Sequence, residues 1–140
     1  LLEKTDNAHI VGISSMASMA PFTQAEAYGA SKAALSYFLK ALRIDLKDKN
    51  IDVTDVMPGF IDTPLTQQND FSMPFLLSSK EASHRIIKAI EKRSFTAVFP
   101  KRLYWLFKII SWIPKTWVKI NSPKDTSITR SSAHKKSDGE

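Results

Sequence analysis

The sequence predicts an α/β chain with a parallel sheet, and three observations predict it. Short, apolar, β-branched runs fall at residues 8–14, 51–57 and 95–99. Between them lie two stretches whose apolar residues recur at the i, i+3, i+4 spacing of a core-facing helix. The connections between successive runs are long enough to be crossovers, which give parallel pairing. In open sheets of this kind, ligands sit at the carboxyl ends of the strands.

Taken in order, Ala8-His-Ile-Val-Gly-Ile-Ser14 reads as a strand buried on both faces. Small and polar residues with Pro21 then make a loop. Thr23 and Glu26 have capping-box spacing and predict a helix start just ahead of Tyr28. That helix should run to about Lys47, with Leu35, Phe38, Leu39, Leu42 and Leu46 toward the core. Ala30, Ala33, Ala34 and Ala41 form a second, small-residue face, suited either to packing inside the domain or to a homo-oligomer contact. Ile51–Met57 is the second strand, ended by Pro58-Gly59, and residues 60–77 read as a loop with room for a short helix. Ser78 and Glu81 form another capping box, opening a helix with Ala82, Ile86, Ile87 and Ile90 on one face and an end near Arg93. Phe95–Phe99 is the third strand, closed by Pro100. Residues 1–100 thus make one α/β unit, 101–120 a basic amphipathic helix, and 121–140 a disordered tail rich in Ser, Thr and Lys.

At 140 residues, 43% hydrophobic and 24% charged, the chain has the make-up of one ordinary globular domain. Without cysteine it has no disulfide and no thiolate metal site. His9, His84 and His134 are scattered without ligand-like spacing, so no metal is expected. The net charge of +6 is confined to one end: residues 1–100 hold 11 Lys/Arg and 11 Asp/Glu, whereas residues 101–140 hold 9 and 3. Leu1-Leu2-Glu3-Lys4 reads as the end of a helix whose start is missing, so the chain is expected to be a fragment. With no leading signal segment, a cytoplasmic location is expected, peripheral to a membrane if the C-terminal region binds one.

The ends of the first two strands carry the most unusual residues, Ser14-Ser15 and Pro58-Gly59. Tyr28 and Lys32 stand four apart on one helix face, and Ser15 lies thirteen residues before Tyr28. A free phenol titrates near ~10, and a neighbouring ammonium favours the phenolate. Such a pair can move a proton to or from a carbonyl or alcohol oxygen at neutral pH. A serine hydroxyl beside it can hold that oxygen. A Tyr-x-x-x-Lys pair alone is most often ordinary helix surface; the serine and the Pro-Gly loop give this one its interest. Hydrolase motifs fit poorly, because Gly12-Ile-Ser14-Ser-Met16 lacks the second glycine of a nucleophile elbow and no histidine is placed as a triad base. The only Ser-x-x-Lys, Ser132 to Lys135, falls in the expected tail, and the chain contains no glycine-rich phosphate loop.

Three blocks, Ile10-Val-Gly-Ile-Ser-Ser15, Tyr28-Gly-Ala-Ser-Lys32-Ala-Ala and Pro58-Gly-Phe-Ile-Asp-Thr63, together resemble the short-chain dehydrogenase/reductase family over roughly residues 1–100. The resemblance implies a partial Rossmann-like, doubly wound parallel sheet and hydride exchange between NAD or NADP and a small alcohol or carbonyl substrate. By position it implies that Tyr28 is the acid/base, that Ser15 places the substrate oxygen, and that Lys32 favours the phenolate and bonds the nicotinamide ribose. Pro58, Gly59, Ile61 and Thr63 would line the nicotinamide end of the cofactor. Ser14 is the weaker candidate, since only Ser15 has the family's separation from Tyr28. The family's glycine-rich cofactor loop, its catalytic asparagine and its NAD/NADP selector are absent from these 140 residues. The chain alone is therefore expected not to turn over substrate, although its parent would. A nucleotide-sugar epimerase or dehydratase uses the same Tyr-Lys pair, but the third block looks closer to the simple oxidoreductases. A non-catalytic remnant that binds a membrane or a protein is the reading from another class.

Residues 101–120 hold all three tryptophans, Trp105, Trp112 and Trp117, with five basic residues and no acidic one. The apolar run Leu103–Ile113 is shorter than the ~20 residues that span a bilayer. Two readings stand: a helix lying on an anionic membrane, which would favour a lipophilic substrate, or a helix packed on the domain or on a partner. Nucleic acid is not expected, because bulky aliphatic side chains accompany the charge.

Overall fold

A computed structural model describes residues 2–64, 66–68 and 73–122. The tail expected over residues 121–140 lies outside them from residue 123 onward. The sheet is built around β2 (Asp52–Pro58), whose residues from Val53 onward are all buried. β1 (His9–Ile13) pairs with one of its edges and β5 (Thr96–Phe99) with the other, both parallel. The three apolar runs are these three strands. β1 is only half-buried, because it stands at an edge of the three-stranded sheet rather than inside it.

Helices α1 (Glu26–Asp45) and α2 (Ser79–Glu91) are the two crossover helices. Successive residues of a strand point to opposite faces, so Asp55, which meets Ser36 of α1, and Val56, which packs with Ala82 of α2, place the helices on opposite sides of β2. α1 lies very close to β1. A Cβ added to Gly12 would come within 2.3 Å of Leu39 Cδ1, so only glycine lets that buried leucine sit against the strand.

The capping expectations divide. Ser78 caps α2, its Oγ accepting from Glu81 N at 3.2 Å. Thr23 does not cap α1; Ala25 is the N-cap residue, and Glu26 Oε1 instead accepts from Gln24 N at 3.2 Å. Of the expected core stripe, Leu39 is buried but Phe38 is 58% exposed, since Leu39 and Ser36 set the inward side of α1. On α2 the inward residues are Ala82 and Ala89, and Ile87 is exposed.

The described part of residues 60–77 holds more than a loop, including a short 3-10 helix over Thr66–Gln68. β3 (Ile61–Asp62) pairs in parallel with β4 (Leu77–Ser78), making a second, two-stranded sheet. The single helix expected over 101–120 is two helices, α3 (Lys101–Ile110) and α4 (Pro114–Asn121). Pro114 opens α4, where its missing N–H costs nothing. Leu103 and Phe107 of α3 enter a core with Met16, Ala20 and Met57.

Candidate active site

The carboxyl ends of β1 and β2 lie side by side, with Ser14 N donating to Val56 O at 2.8 Å. β1 ends at Ile13, and the chain leaves it through Ser14 and Ser15 into a 3-10 turn over Met16–Ser18. Ser15 caps that turn: its Oγ accepts from Ala17 N at 3.1 Å, and its carbonyl accepts from Ser18 Oγ at 2.7 Å. The Ser15 hydroxyl proton is left to donate elsewhere, because the cap uses only a lone pair.

Lys32 reaches back from α1 to the same strand end. Its Nζ donates to Ile13 O at 3.0 Å and stands 5.8 Å from the centroid of the Tyr28 ring, one turn earlier on the helix. Tyr28 itself is half-exposed. An ammonium has three donors, so Lys32 keeps two after the bond to Ile13. Those two N–H groups, with the phenol beside them, suit the hydroxyls of a ribose.

Pro58-Gly59 ends β2 beside these residues. Gly59 N donates to Phe99 O at 2.8 Å, and a Cβ there would come within 2.7 Å of Leu103 Cδ2, so α3 is seated directly on this turn. Ile61 lies in β3, and Thr63 follows it. Thr63 and Thr66 brace each other: Thr63 N donates to Thr66 Oγ1 at 2.8 Å and Thr66 N to Thr63 Oγ1 at 3.2 Å. The structure thus brings Ser15, Lys32, Pro58 and Gly59 to adjacent strand ends, with Tyr28 on the same helix as Lys32. Ile61 and Thr63 follow in the loop that leaves β2.

Sequence reasoning missed a network behind these groups. Asp55 is buried in β2, and both carboxylate oxygens accept from serine hydroxyls, Oδ1 from Ser14 at 2.5 Å and Oδ2 from Ser36 at 2.6 Å. Two aspartates, Asp52 and Asp55, interrupt the otherwise mostly apolar run Ile51–Met57, and the inner one was its only signal. Ser14, the weaker catalytic candidate, spends its proton there.

A parallel sheet with helices on both faces, and its candidate site at the carboxyl ends of the strands, is the doubly wound class. The chain belongs to the short-chain dehydrogenase family, whose model matches residues 1–73. It is 40% identical over 95 residues to an uncharacterised oxidoreductase of Myxococcus xanthus, covering 68% of this chain and 38% of that protein. It is 32% identical over 111 residues to an 11-beta-hydroxysteroid dehydrogenase-like protein of Arabidopsis thaliana, covering 76% of this chain and 36% of that one. A short-chain dehydrogenase of Burkholderia cenocepacia, solved in complex with NADP, shares the fold with a TM-score of 0.71 at 19% identity, covering 88% of this chain and 50% of that one. The chain therefore spans less than half the length of these two curated relatives.

Proposed function

We propose that the chain carries the acid/base half of an NAD(P)-dependent oxidoreductase that interconverts an alcohol and a carbonyl compound. The observation that carries this reading is Lys32, anchored on Ile13 O at the strand end with Tyr28 one turn away. In the reducing direction, the Ser15 hydroxyl and the Tyr28 phenol both donate to the substrate oxygen. Tyr28 gives its proton to that oxygen as the carbonyl carbon is reduced, and the Lys32 ammonium stabilises the phenolate left behind. The cofactor, NAD or NADP, supplies or accepts the hydride when bound. Lys32 and Tyr28 would hold its ribose, and Pro58, Gly59, Ile61 and Thr63 would line its nicotinamide end. NADP in the Burkholderia cenocepacia structure supports this choice without deciding between the two cofactors.

The substrate is a small alcohol or carbonyl compound. A lipophilic one is favoured if residues 101–120 meet a membrane, and a homo-oligomer contact is available through Ala30 and Ala34, both exposed on α1. We expect no turnover from the 140 residues alone, because they contain no glycine-rich phosphate loop. The test is NAD(P)H oxidation against a panel of carbonyl compounds, run on this chain and on any longer product of the same gene. Activity in the longer product that survives both Tyr28→Phe and Lys32→Met would overturn the reading. The remnant reading predicts no activity at any length; retention of Ser15, Tyr28 and Lys32 together speaks against it.

A further inference from the structure

α3 is apolar on two opposite sides, and among the described residues only one of them is buried in the core. On the inner side, Leu103 and Phe107 are buried against Met16, Ala20 and Met57. α4 closes over the same region: Trp117 Nε1 donates to Pro21 O at 2.6 Å, and the Phe22 ring stands 5.3 Å from that of Phe107 and 5.5 Å from that of Trp117. Packing on the domain, one of the two readings for residues 101–120, is therefore satisfied by this side alone. The outer side carries Trp105 and Ile109, an i, i+4 pair that is 57% and 60% exposed, and Trp112, 83% exposed, follows in the turn just past the helix end. Ile113 at the junction, with Val118 and Ile120 on α4, adds further exposed apolar surface. An exposed apolar patch of this kind marks an interaction surface.

Charge selects the occupant. Residues 101–122 contain Lys101, Arg102, Lys108, Lys115 and Lys119 and no acidic residue. Lys108 Nζ stands 5.3 Å from the centroid of the Trp105 ring, so a cation accompanies the outer stripe. An indole with an adjoining ammonium matches the boundary between lipid headgroups and acyl chains. Positive charge also continues beyond the helix, since Lys101 and Arg102, with Arg85, Lys88 and Lys92, line a groove of about 740 Å³ along β5. A second copy docking face to face would set these cations against one another. Over residues 1–100 acidic and basic residues cancel, so that part of the chain carries no net negative charge to attract this face. No helix among the described residues is long and apolar enough to cross a membrane.

We propose that the outer face of α3, extended by α4, docks peripherally on an anionic lipid bilayer, with Trp105, Ile109 and Trp112 entering the headgroup region and Lys108 on lipid phosphate. The test is co-sedimentation of the chain with vesicles of phosphatidylcholine, with or without phosphatidylglycerol, followed by tryptophan emission. The chain should sediment with the phosphatidylglycerol vesicles, shift its emission to the blue, and let go as salt is raised. Trp105→Ser/Trp112→Ser should weaken binding on the order of tenfold or more with an unchanged circular dichroism spectrum, since both side chains face solvent. Lys108→Gln should weaken it roughly fivefold. Equal sedimentation by the chain and the tryptophan variant would overturn the proposal, as would no sedimentation with either vesicle. Sedimentation velocity of the free chain covers the other occupant: a dimer that the tryptophan variant abolishes and vesicles leave intact would assign the stripe to a second copy instead.

Discussion

The two ends of the three-stranded sheet are built from the same strands and are held in opposite ways. At the amino ends, polar groups are spent on one another. Arg93 joins Asp52 Oδ2 at 2.7 Å and Asn7 O at 2.7 Å, while His9 Nε2 meets Thr54 Oγ1 at 2.8 Å and Thr54 donates in turn to Ser94 O. At the carboxyl ends, Ser15 and Lys32 use only part of their capacity locally, and Tyr28 faces outward. Between them lies Asp55, buried and shared by Ser14 and Ser36. The contrast teaches that polar residues of similar type fasten the sheet at one end and stay available for chemistry at the other.

The sharpest way to separate the ends is Tyr28→Phe. It should lower kcat/KM about 10³-fold in an active form of the protein and leave the urea midpoint of unfolding where it was. Asp55→Ala should behave oppositely, costing about 3 kcal/mol in urea unfolding, because two buried serine hydroxyls lose their acceptor. Gly12→Ala should cost about 2 kcal/mol by pushing Leu39 out of its place against β1. A variant as stable as the parent would show that the helix yields more easily than this geometry implies.

Arg93 allows a finer test of the amino end. Its φ is 49°, a left-handed conformation at the end of α2 where glycine is usual, so its side-chain bonds offset a backbone cost. Arg93→Ala should cost about 1–2 kcal/mol, and Arg93→Gly less, since glycine regains the backbone term. Equal losses would mean that the conformation carries little strain.

The smallest effect is on pH dependence. The hydrogen bond from Arg93 lowers the Asp52 carboxyl pKa, and burial, followed by the charge of Arg93, lowers that of His9. Both groups take up protons more readily in the unfolded chain, so both make stability fall as pH falls. The His9 contribution begins to be lost below its ordinary value of 6.5, and that of Asp52 below its ordinary 3.8. Stability measured from pH 7 to pH 3 should decline in the native chain and decline less in Arg93→Ala.

Much of the fold was legible because it depends on periodicity that survives without tertiary context. The runs at 8–14, 51–57 and 95–99 became β1, β2 and β5, and Ser78 caps α2 as its spacing indicated. Where competing partners decide, the sequence was less informative. Thr23 has the spacing of a cap but is not the residue at the helix boundary. Phe38 fits the apolar stripe of α1, yet Ser36 turns inward to reach Asp55 and leaves the phenylalanine outside. β3 and β4 hold two residues each, too few to show any period. Of the candidate site, the residue types and spacings were visible at Ser15, Tyr28 and Lys32. The carbonyl that anchors Lys32 and the mutual bracing of Thr63 and Thr66 are properties of the folded chain.

Leu39 against Gly12 and Lys32 on Ile13 O have a consequence for how the site tolerates change. The two contacts grip α1 at points seven residues apart, two helical turns or roughly 10 Å, and both grip neighbouring residues of one strand. The helix is thus clamped lengthwise, unable to slide along β1 whatever the length of the loop that precedes it. The thirteen-residue interval from Ser15 to Tyr28 is therefore not what fixes the helix against the strand, although Met16, Ala20 and Phe22 within it are packed in the core. A residue inserted near Thr23 or Gln24 would change the interval and leave the two contacts standing.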